Sequence, residues 1–271
     1  MTSSAEAGAV PARDPHFSDA RAMSAPRVSV IMPAYNAAAT LQASMESVFA
    51  QTYADIELLV IDDCSRDATW EMIREAAARE ACVAPIRMAQ NGGVAAARNA
   101  GIEAATGTHI AFLDSDDRWA PQKIERQLAH MAVTGTLVSY TGYRRFDEAG
   151  NTLSLVRPPL QASYADMLKS NRIGNLTGMY DRALGDGRFR KIGHEDYVFW
   201  LQMVRRAGIA RRVPEDAPLA DYLVRTGSLS ADKRKAARWQ WDIYRKVEGL
   251  DPFRASWYFA HYAAHAVMKR A

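Results

Sequence analysis

Between residues 28 and 117 the sequence alternates between short apolar runs and helical patterns, and this alternation limits the possible folds more than any other feature. Residues 28–32, 56–61 and 109–113 are apolar runs with the length and composition of buried strands. After the first run, Asn36 is predicted to cap a helix over residues 37–50, in which Leu41, Met45 and Val48 recur at helical spacing. Strands and helices that alternate through short connections predict an α/β fold, with a mostly parallel sheet covered by helices on both faces.

Polar motifs follow three of these predicted strands. Residues 33–36 follow the first strand, residues 62–63 the second, and residues 114–117 the strand that begins at His109. Ligands of open α/β sheets bind in the crevice beyond the carboxyl ends of the strands. The three motifs therefore predict one binding site at this edge of the sheet.

The motif at residues 114–117 contains three carboxylates, Asp114, Asp116 and Asp117. Carboxylates this close repel one another and raise each other's pKa unless a cation lies among them. Mg²⁺ prefers oxygen ligands and is typically bound by one or two carboxylates together with substrate phosphates. The motif therefore indicates a divalent metal and a phosphorylated ligand, although an acidic turn that caps the next helix is the simpler alternative.

Chain length, net charge and cysteine content limit what the protein can be. The chain has 271 residues, which is enough for one large domain with an appendage. Its net charge of +3 is too small to indicate nucleic acid as a partner. Cys64 and Cys82 form neither a metal-ligand spacing nor a disulfide framework, as expected in a reducing cytosol.

The first 26 residues are rich in Ala, Ser, Pro and Asp and lack the basic start and apolar core of a signal peptide. We expect residues 1–26 to be a disordered leader. No run approaches the roughly 18 apolar residues that span a bilayer. These features predict a cytoplasmic protein, or one that lies on the cytosolic face of a membrane.

Five short motifs, in order, carry a resemblance to a known family. They are residues 33–36, 61–65, 91–101, 114–117 and 195–196, and their order and spacing resemble those of the family 2 glycosyltransferases, which have the GT-A fold. The resemblance runs from about residue 28 to residue 230. Residues 173–181 and the Trp-rich tail look most like bacterial teichuronic-acid or capsule-type members. The resemblance implies a nucleotide-sugar-binding half (27–120) and an acceptor-binding half (121–230), followed by a helical C-terminal extension (231–271).

The family implies an inverting transfer from a nucleotide-diphospho-sugar to a hydroxyl of a glycan or lipid-linked acceptor in bacterial cell-surface polysaccharide biosynthesis. By resemblance, Asp196 is the base that removes the acceptor proton, and Glu195 is its neighbour. The alternative is that the pair only caps the following helix. The implied cofactor is Mn²⁺ or Mg²⁺, with Asp116 and Asp117 on the metal side and Asp114 nearer the ribose.

The same resemblance implies a set of nucleotide contacts. Asp63 corresponds to the residue that accepts a hydrogen bond from uracil, which makes UDP the default nucleotide. Arg98 faces the nucleotide or, equally well, is a counter-ion for the aspartates. Arg225 stands where some relatives have a metal-binding His, and an Arg there would neutralise the diphosphate instead. The implied nucleotide-binding residues are Pro33, Tyr35, Asn36, Asp63, Arg98, Asp114 and Arg225.

The tail from residue 231 is predicted to form two helices with a break near residues 249–252. Basic residues and the aromatic residues Trp239, Trp241 and Trp257 share these helices. Such helices pack on a core or a second subunit, or they lie on anionic membranes. The sequence leaves all three alternatives open.

Two other functions remain in competition at this point. A sugar nucleotidyltransferase also uses carboxylates at a sheet edge, but it needs a Gly-rich basic signature that residues 33–36 do not offer. A catalytically silent sugar-nucleotide-binding scaffold is the other alternative. The intact Asp116, Asp117 and Asp196 argue against it.

Overall fold

The computed structural model describes residues 27–225 and 233–268. The predicted leader, residues 1–26, lies outside the described residues. The predicted boundary after residue 230 also lies outside them. Among the helices that are described, none is long and apolar enough to cross a membrane.

A central sheet of eight strands organises the fold. Its order is β3-β2-β1-β4-β10-β6-β11-β9. Strands β3, β2, β1 and β4 are parallel, and β10 enters antiparallel between β4 and β6. Strand β11 is parallel to β6, and β9 closes the edge antiparallel to β11. The mostly parallel sheet that the sequence predicts is therefore confirmed. The strands are β1 (Val28–Ala34), β2 (Ile56–Asp62), β3 (Val83–Arg87), β4 (His109–Phe112), β6 (Val138–Tyr140), β9 (Gln161–Ser163), β10 (Met179–Asp181) and β11 (Ile209–Arg212).

A smaller sheet of four strands has the order β5-β12-β7-β8. Strand β12 pairs antiparallel with β5 and parallel with β7, and β7 and β8 form a hairpin with its turn near residue 150. This sheet brings the strand that follows the acidic motif against β12, which comes much later in the chain. Its strands are β5 (Arg118–Trp119), β7 (Tyr143–Phe146), β8 (Thr152–Val156) and β12 (Ala220–Leu223).

Helices cover both faces of the large sheet because its inner strands are apolar on both sides. Val30 and Met32 of β1 belong to one core cluster, and Ile31 between them belongs to the other. Residues that alternate along a strand point to opposite faces, so each face contributes to its own core. The helices are α1 (Leu41–Phe49), α2 (Thr69–Arg79), α3 (Val94–Ala104), α4 (Lys123–Thr134), α5 (Tyr164–Lys169), α6 (Glu195–Ala207), α7 (Lys233–Asp242) and α8 (Pro252–Met268).

Helix α3 lies unusually close to the sheet at Gly101. A Cβ at this position would come within 2.5 Å of the Ile31 side chain, so only glycine allows the helix this approach. The approach sets the start of α3 against the strand ends. The glycine in the predicted motif at residues 91–101 therefore has a packing reason.

The first helix begins later than the sequence predicts. We expected Asn36 to cap a helix that starts at residue 37, but α1 starts at Leu41. Asn36 has a φ of 48°, and its side-chain oxygen accepts the backbone N–H of Arg66 at 2.9 Å. Asn tolerates the left-handed conformation, so this residue ties two loops together and does not cap α1.

The C-terminal extension forms two helices, as predicted. A π-helical segment, Ile243–Val247, continues α7, and α8 begins at Pro252 after the break. Tyr244 is fully buried, and its hydroxyl donates to the carbonyl of Leu168. The extension therefore packs on the core of the large sheet at α5.

Candidate functional site

A cavity of about 420 Å³ opens at the carboxyl ends of β1, β2 and β4. These strands are neighbours in the sheet, so the residues that follow them meet at one edge, where ligands of α/β sheets bind. The structure thus brings together four of the seven predicted nucleotide-binding residues and one predicted metal ligand. The lining residues are Pro33, Ala34, Tyr35, Asp63, Asn91, Gly93, Val94, Ala97, Asp114, Ser115 and Asp116.

Asp63 holds the loop that forms one wall of this cavity. Its two carboxylate oxygens accept the backbone N–H groups of Gly92 at 2.7 Å and Gly93 at 2.8 Å. The backbone carbonyl of Asp63 accepts the Asn91 side-chain amide at 3.0 Å. Only 3 % of Asp63 is exposed. The side chain therefore positions the residues 91–93 turn, a role that the sequence does not indicate.

Arg98 is buried behind the acidic motif. It donates to Asp114 at 2.7 Å, and its guanidinium lies 5.1 Å from the centre of the Phe189 ring. Burial opposes the charge of Arg98, but Asp114, and with smaller effect Asp196 and Glu195, raise the pKa of the guanidinium above its usual value. Of the two predicted roles, this geometry matches the counter-ion of the aspartates.

Asp116 and Arg225 face each other at the mouth of the cavity. Arg225 Nε lies 3.6 Å from Asp116 Oδ2, and the same guanidinium donates to Thr40 Oγ1 at 3.3 Å. Burial and the neighbouring Asp114 raise the pKa of Asp116, which Arg225 partly offsets. A cation bound at Asp116 would therefore stabilise the ionised carboxylate, which burial and Asp114 disfavour.

Asp117 is placed differently from its two acidic neighbours. It is 2 % exposed, it does not line the cavity, and its Oδ1 accepts the backbone N–H of Leu223 at 3.0 Å. Burial, together with Asp114 and Asp116, raises its pKa well above the usual value. Asp117 thus fastens β12 to the acidic motif, and its role as a metal ligand stays a prediction.

The donor set fits a metal only with help from a substrate. Within residues 27–225 and 233–268, no three His, Cys, Asp or Glu side chains are grouped so that they could hold an ion on their own. Mg²⁺ commonly takes only one or two protein carboxylates and completes its shell with substrate phosphates and water. The raised pKa of Asp116 and its position on the cavity are consistent with such a site.

Two tyrosines that the sequence analysis did not single out border the acidic motif. Burial, then Asp117, Asp116 and Asp114, raise the pKa of Tyr222 to about 12. The rings of Tyr143 and Tyr222 are in edge-to-face contact, with centroids 6.3 Å apart. The sequence of β12 does not reveal which carboxylates lie near the Tyr222 side chain.

Glu195 and Asp196 form the first turn of α6. Burial raises the pKa of Glu195, while Arg98 lowers it and Asp196 raises it. The ring of Phe189 stacks on Phe199 of α6 and lies 5.1 Å from the Arg98 guanidinium, so this helix lies beside Arg98. The predicted catalytic pair and the predicted nucleotide site therefore lie close to one another.

The turn before this pair is held in an uncommon backbone conformation. Gly193 and His194 have φ values of 71° and 50°. The His194 ring meets the indole of Trp239 edge to face, with centroids 5.3 Å apart, and a Cβ at Gly193 would overlap that indole. The extension thus contacts the chain directly before the pair, and no sequence pattern indicates that contact.

Comparison with known proteins places the chain in a family. Residues 29–201 match the family model described as Glycosyl transferase family 2. TuaG of Bacillus subtilis, a glycosyltransferase provisionally named for teichuronic acid biosynthesis, is 36% identical over 90% of this chain and 98% of its own length. WfaP of Escherichia coli, named as a UDP-Glc:alpha-D-GlcNAc-diphosphoundecaprenol beta-1,3-glucosyltransferase, is 34% identical over 89% of this chain and 94% of its own length.

Solved structures share the fold at low sequence identity. S. aureus TarS 1-349 in complex with UDP-GlcNAc has a TM-score of 0.66 and 19% identity, and the match covers 88% of this chain and 71% of that one. The mannosyltransferase PcManGT from Pyrobaculum calidifontis, in complex with GDP-Man and Mn²⁺, has a TM-score of 0.63 and 18% identity, with 89% and 74% covered. At these identities the likeness concerns the fold alone.

Proposed function

The chain belongs to glycosyl transferase family 2 and has the GT-A fold, and on this premise we propose that it is an inverting, metal-dependent glycosyltransferase. It transfers a sugar from a UDP-sugar to a hydroxyl of a glycan or lipid-linked acceptor. The observation that carries the proposal is the cavity at the strand ends. Asp63, Tyr35, Asp114 and Asp116 all line this one cavity. That arrangement offers a base pocket at one end and a carboxylate rim at the other.

Transfer with inversion is a single displacement. The acceptor hydroxyl oxygen attacks the anomeric carbon, the bond from that carbon to the diphosphate breaks, and Asp196 takes the hydroxyl proton. A positioned base typically contributes a factor of 10² to 10⁴. Glu195, whose pKa burial raises, precedes Asp196 in the first turn of α6.

The nucleotide lies along the cavity in this proposal. Tyr35, which is 48% exposed, offers an aromatic face to the base, with Pro33 and Asn36 at the same strand end. Asp63 fixes the residues 91–93 turn and is the candidate acceptor for uracil. Asp114, held by Arg98, is directed to the ribose.

The diphosphate lies at the outer rim. Asp116 is the proposed metal ligand, and Arg225, 3.6 Å from it, neutralises the phosphates when the nucleotide binds. A bound Mn²⁺ or Mg²⁺ stabilises the charge that develops on the leaving diphosphate. Asp117 keeps β12, and with it Arg225, against the rim.

Relatives support the choice of substrates. WfaP is named for a UDP-sugar donor and a diphosphoundecaprenol acceptor, and TarS is described with UDP-GlcNAc. TuaG is provisionally named for teichuronic acid biosynthesis. By these likenesses we propose that this chain acts in bacterial surface polysaccharide biosynthesis.

The extension supports a location on the cytosolic face of a membrane. Residues 231–271 have nine Lys and Arg against four Asp and Glu, a net charge of +5, whereas the first 230 residues have 25 against 27, a net charge of −2. On α8, Phe253 is 88% exposed and Trp257 63% exposed, and both border a groove of about 470 Å³ together with Arg254. Exposed aromatic residues beside basic ones suit an anionic bilayer. Association of two copies through the same residues is the alternative.

A thermal-shift panel tests the donor site. We expect UDP to raise the melting temperature more than GDP, dTDP or CDP do, because a ligand that binds only the native state stabilises it. The UDP shift should grow with Mn²⁺ in the parent and not in Asp116→Ala. Failure of all four nucleotides, each with Mn²⁺, would contradict the proposed donor site.

Replacement of Asp196 tests the chemistry separately. Asp196→Asn should bind UDP as the parent does and lose transfer by about 10²-fold or more, because only proton removal is lost. Asp186→Asn, an acid in the loop before α6 that pairs with Arg182, is the control and should retain transfer. Equal turnover by Asp196→Asn and the parent would remove Asp196 as the base and favour the silent scaffold.

A further inference from the structure

A second concave site lies on the acceptor half, outside the nucleotide cavity. It has a volume of about 230 Å³ and is bordered by the β7–β8 hairpin, the chain that follows β8, and the turn that follows α5. Tyr143, Arg157, Asn171 and Arg172 bring polar groups to it. None of its eight lining residues is acidic.

The two arginines make the cavity a site for an anion. Arg157 has its closest acidic group at Asp216, 3.6 Å away, and the Asp216 side chain is 99% exposed, so this ion pair is weak. Asn171 Oδ1 accepts the backbone N–H of Ile173 at 3.1 Å. That hydrogen bond fixes the turn that carries Arg172. A planar guanidinium group can donate two parallel hydrogen bonds to a phosphate group. Two such groups around one cavity therefore suit a phosphate or diphosphate.

Tyr143 connects this cavity to the surroundings of the acidic motif. It lines the arginine cavity and contacts the Tyr222 ring on its other side. Burial raises the pKa of the Tyr143 phenol, Arg145 lowers it, and Asp117 and Asp196 raise it further. Tyr143 thus belongs both to the arginine cavity and, through Tyr222, to the surroundings of the acidic motif.

We propose that the cavity of Arg157, Asn171 and Arg172 binds the phosphate or diphosphate group of the acceptor. The inference rests on the proposed function, because it assigns the acceptor to the class of glycosyl phosphates and diphosphates. The donor diphosphate has its own partners at Asp116 and Arg225. The two arginine sites thus serve two different phosphorylated substrates.

Calorimetric titration with acceptor-like probes tests the proposal without any transfer. The protein is first saturated with UDP and Mg²⁺ so that the donor site is occupied, and geranyl diphosphate, inorganic pyrophosphate and geraniol are then titrated. We expect geranyl diphosphate and pyrophosphate to bind and geraniol not to bind measurably, because the arginines recognise the phosphate groups. Failure of both phosphorylated probes to bind, or binding of geraniol as tight as that of geranyl diphosphate, would overturn the assignment.

Substitutions locate the site. Arg157→Gln should weaken geranyl diphosphate binding about tenfold or more, and Arg172→Lys, which keeps the charge but loses the paired donors, should weaken it by a smaller factor. Arg188→Gln is the matched control, because Arg157 and Arg188 side chains are both 56% exposed and each faces an exposed acid. All three variants should bind UDP as the parent does.

The outcomes separate this proposal from the proposed function. Unchanged geranyl diphosphate affinity in Arg157→Gln and Arg172→Lys would overturn the acceptor site, whatever the UDP titration shows. An equal loss in Arg188→Gln would overturn it too, because the effect would then be one of net charge. Failure of the parent to bind UDP would count against the proposed donor and not against this cavity, which is then titrated without UDP.

Discussion

Replacement of Asp63 by Asn tests whether this carboxylate builds the wall of the nucleotide cavity. Asp63 accepts two backbone N–H groups, from Gly92 and Gly93, with one oxygen each. The amide of Asn has one accepting oxygen, so one of the two hydrogen bonds is lost and the other no longer involves a charge. The opposing N–H then faces an NH₂ group in a place where only 3 % of the residue is exposed.

The expected loss of stability follows from this count. A hydrogen bond to a charged group contributes about 1.5–3 kcal/mol, so Asp63→Asn should lower the free energy of unfolding by about that amount. For a chain of this size, 1 kcal/mol corresponds to roughly 2–4 °C in melting temperature. We therefore expect a decrease of about 3–12 °C. UDP affinity should fall as well, because the turn that loosens lines the cavity.

Thermal melts, UDP titration and amide hydrogen exchange at Gly92 and Gly93 measure the three effects. Asp67→Asn is the control, since Asp67 also accepts backbone N–H groups, from Thr69 and Ala38, but does not line the cavity. It should lower stability less, because Asp67 is exposed, and leave UDP affinity unchanged. Unchanged melting and unchanged exchange in Asp63→Asn would refute the reasoning from the two hydrogen bonds.

Two further predictions concern the extension and a buried cation. The double variant Phe253→Ser/Trp257→Ser should sediment with phosphatidylglycerol vesicles at least tenfold more weakly than the parent, because burial of one such side chain contributes about 1.5–3 kcal/mol. Val133→Ser, at an 87% exposed position remote from the extension, should bind like the parent, and a parent that dimerises without binding vesicles would contradict the prediction. Lys123 is fully buried and donates to Gln127 at 2.6 Å, and burial lowers its pKa well below the ordinary 10.5. The Lys123 amine therefore binds its proton more tightly in the unfolded chain than in the folded one. The free energy of unfolding of the parent should rise as the pH approaches 10.5, by up to about 1.4 kcal/mol per pH unit. Urea unfolding at pH 7 and pH 9 should show this rise in the parent and not in Lys123→Met.

The parallel half of the fold could be predicted because its strands are apolar on both faces. A continuous apolar run such as residues 58–61 is typical of a strand in the middle of a parallel sheet, where both faces are buried. Once the strands are parallel neighbours, Asp63 and Asp114 must share an edge. The position of the cavity therefore followed from local sequence, and the structure confirms it.

The finer arrangement depends on contacts between residues far apart in the chain. Asp117 accepts from Leu223, 106 residues later, and Tyr143 meets Tyr222 only because β7 and β12 pair. Asn is a residue type that often caps helices, but Asn36 adopts the left-handed conformation, and its side-chain oxygen accepts the backbone N–H of Arg66. Periodicity and capping rules describe neighbours along the chain, so they carry no information on these partners.

Trp239 connects the extension to the proposed catalytic pair, and this contact predicts that the C-terminal helices affect turnover. Its indole touches Gly193 and His194, both with positive φ, and α6 starts at the next residue. Such backbone conformations persist only when their surroundings enforce them. Trp239→Ala should let the turn relax and displace Asp196.

The loss should appear in kcat, roughly 10- to 100-fold for a displacement of about 1 Å, while UDP affinity stays that of the parent. Trp239→Phe keeps an aromatic edge against His194 and should recover most of the rate. Trp241→Ala removes an indole that packs on Phe259 of α8, and serves as the control for general damage to the extension. If Trp241→Ala lowers kcat as much as Trp239→Ala does, the contact with Trp239 does not position the pair, and the extension acts on turnover only through the stability of the fold.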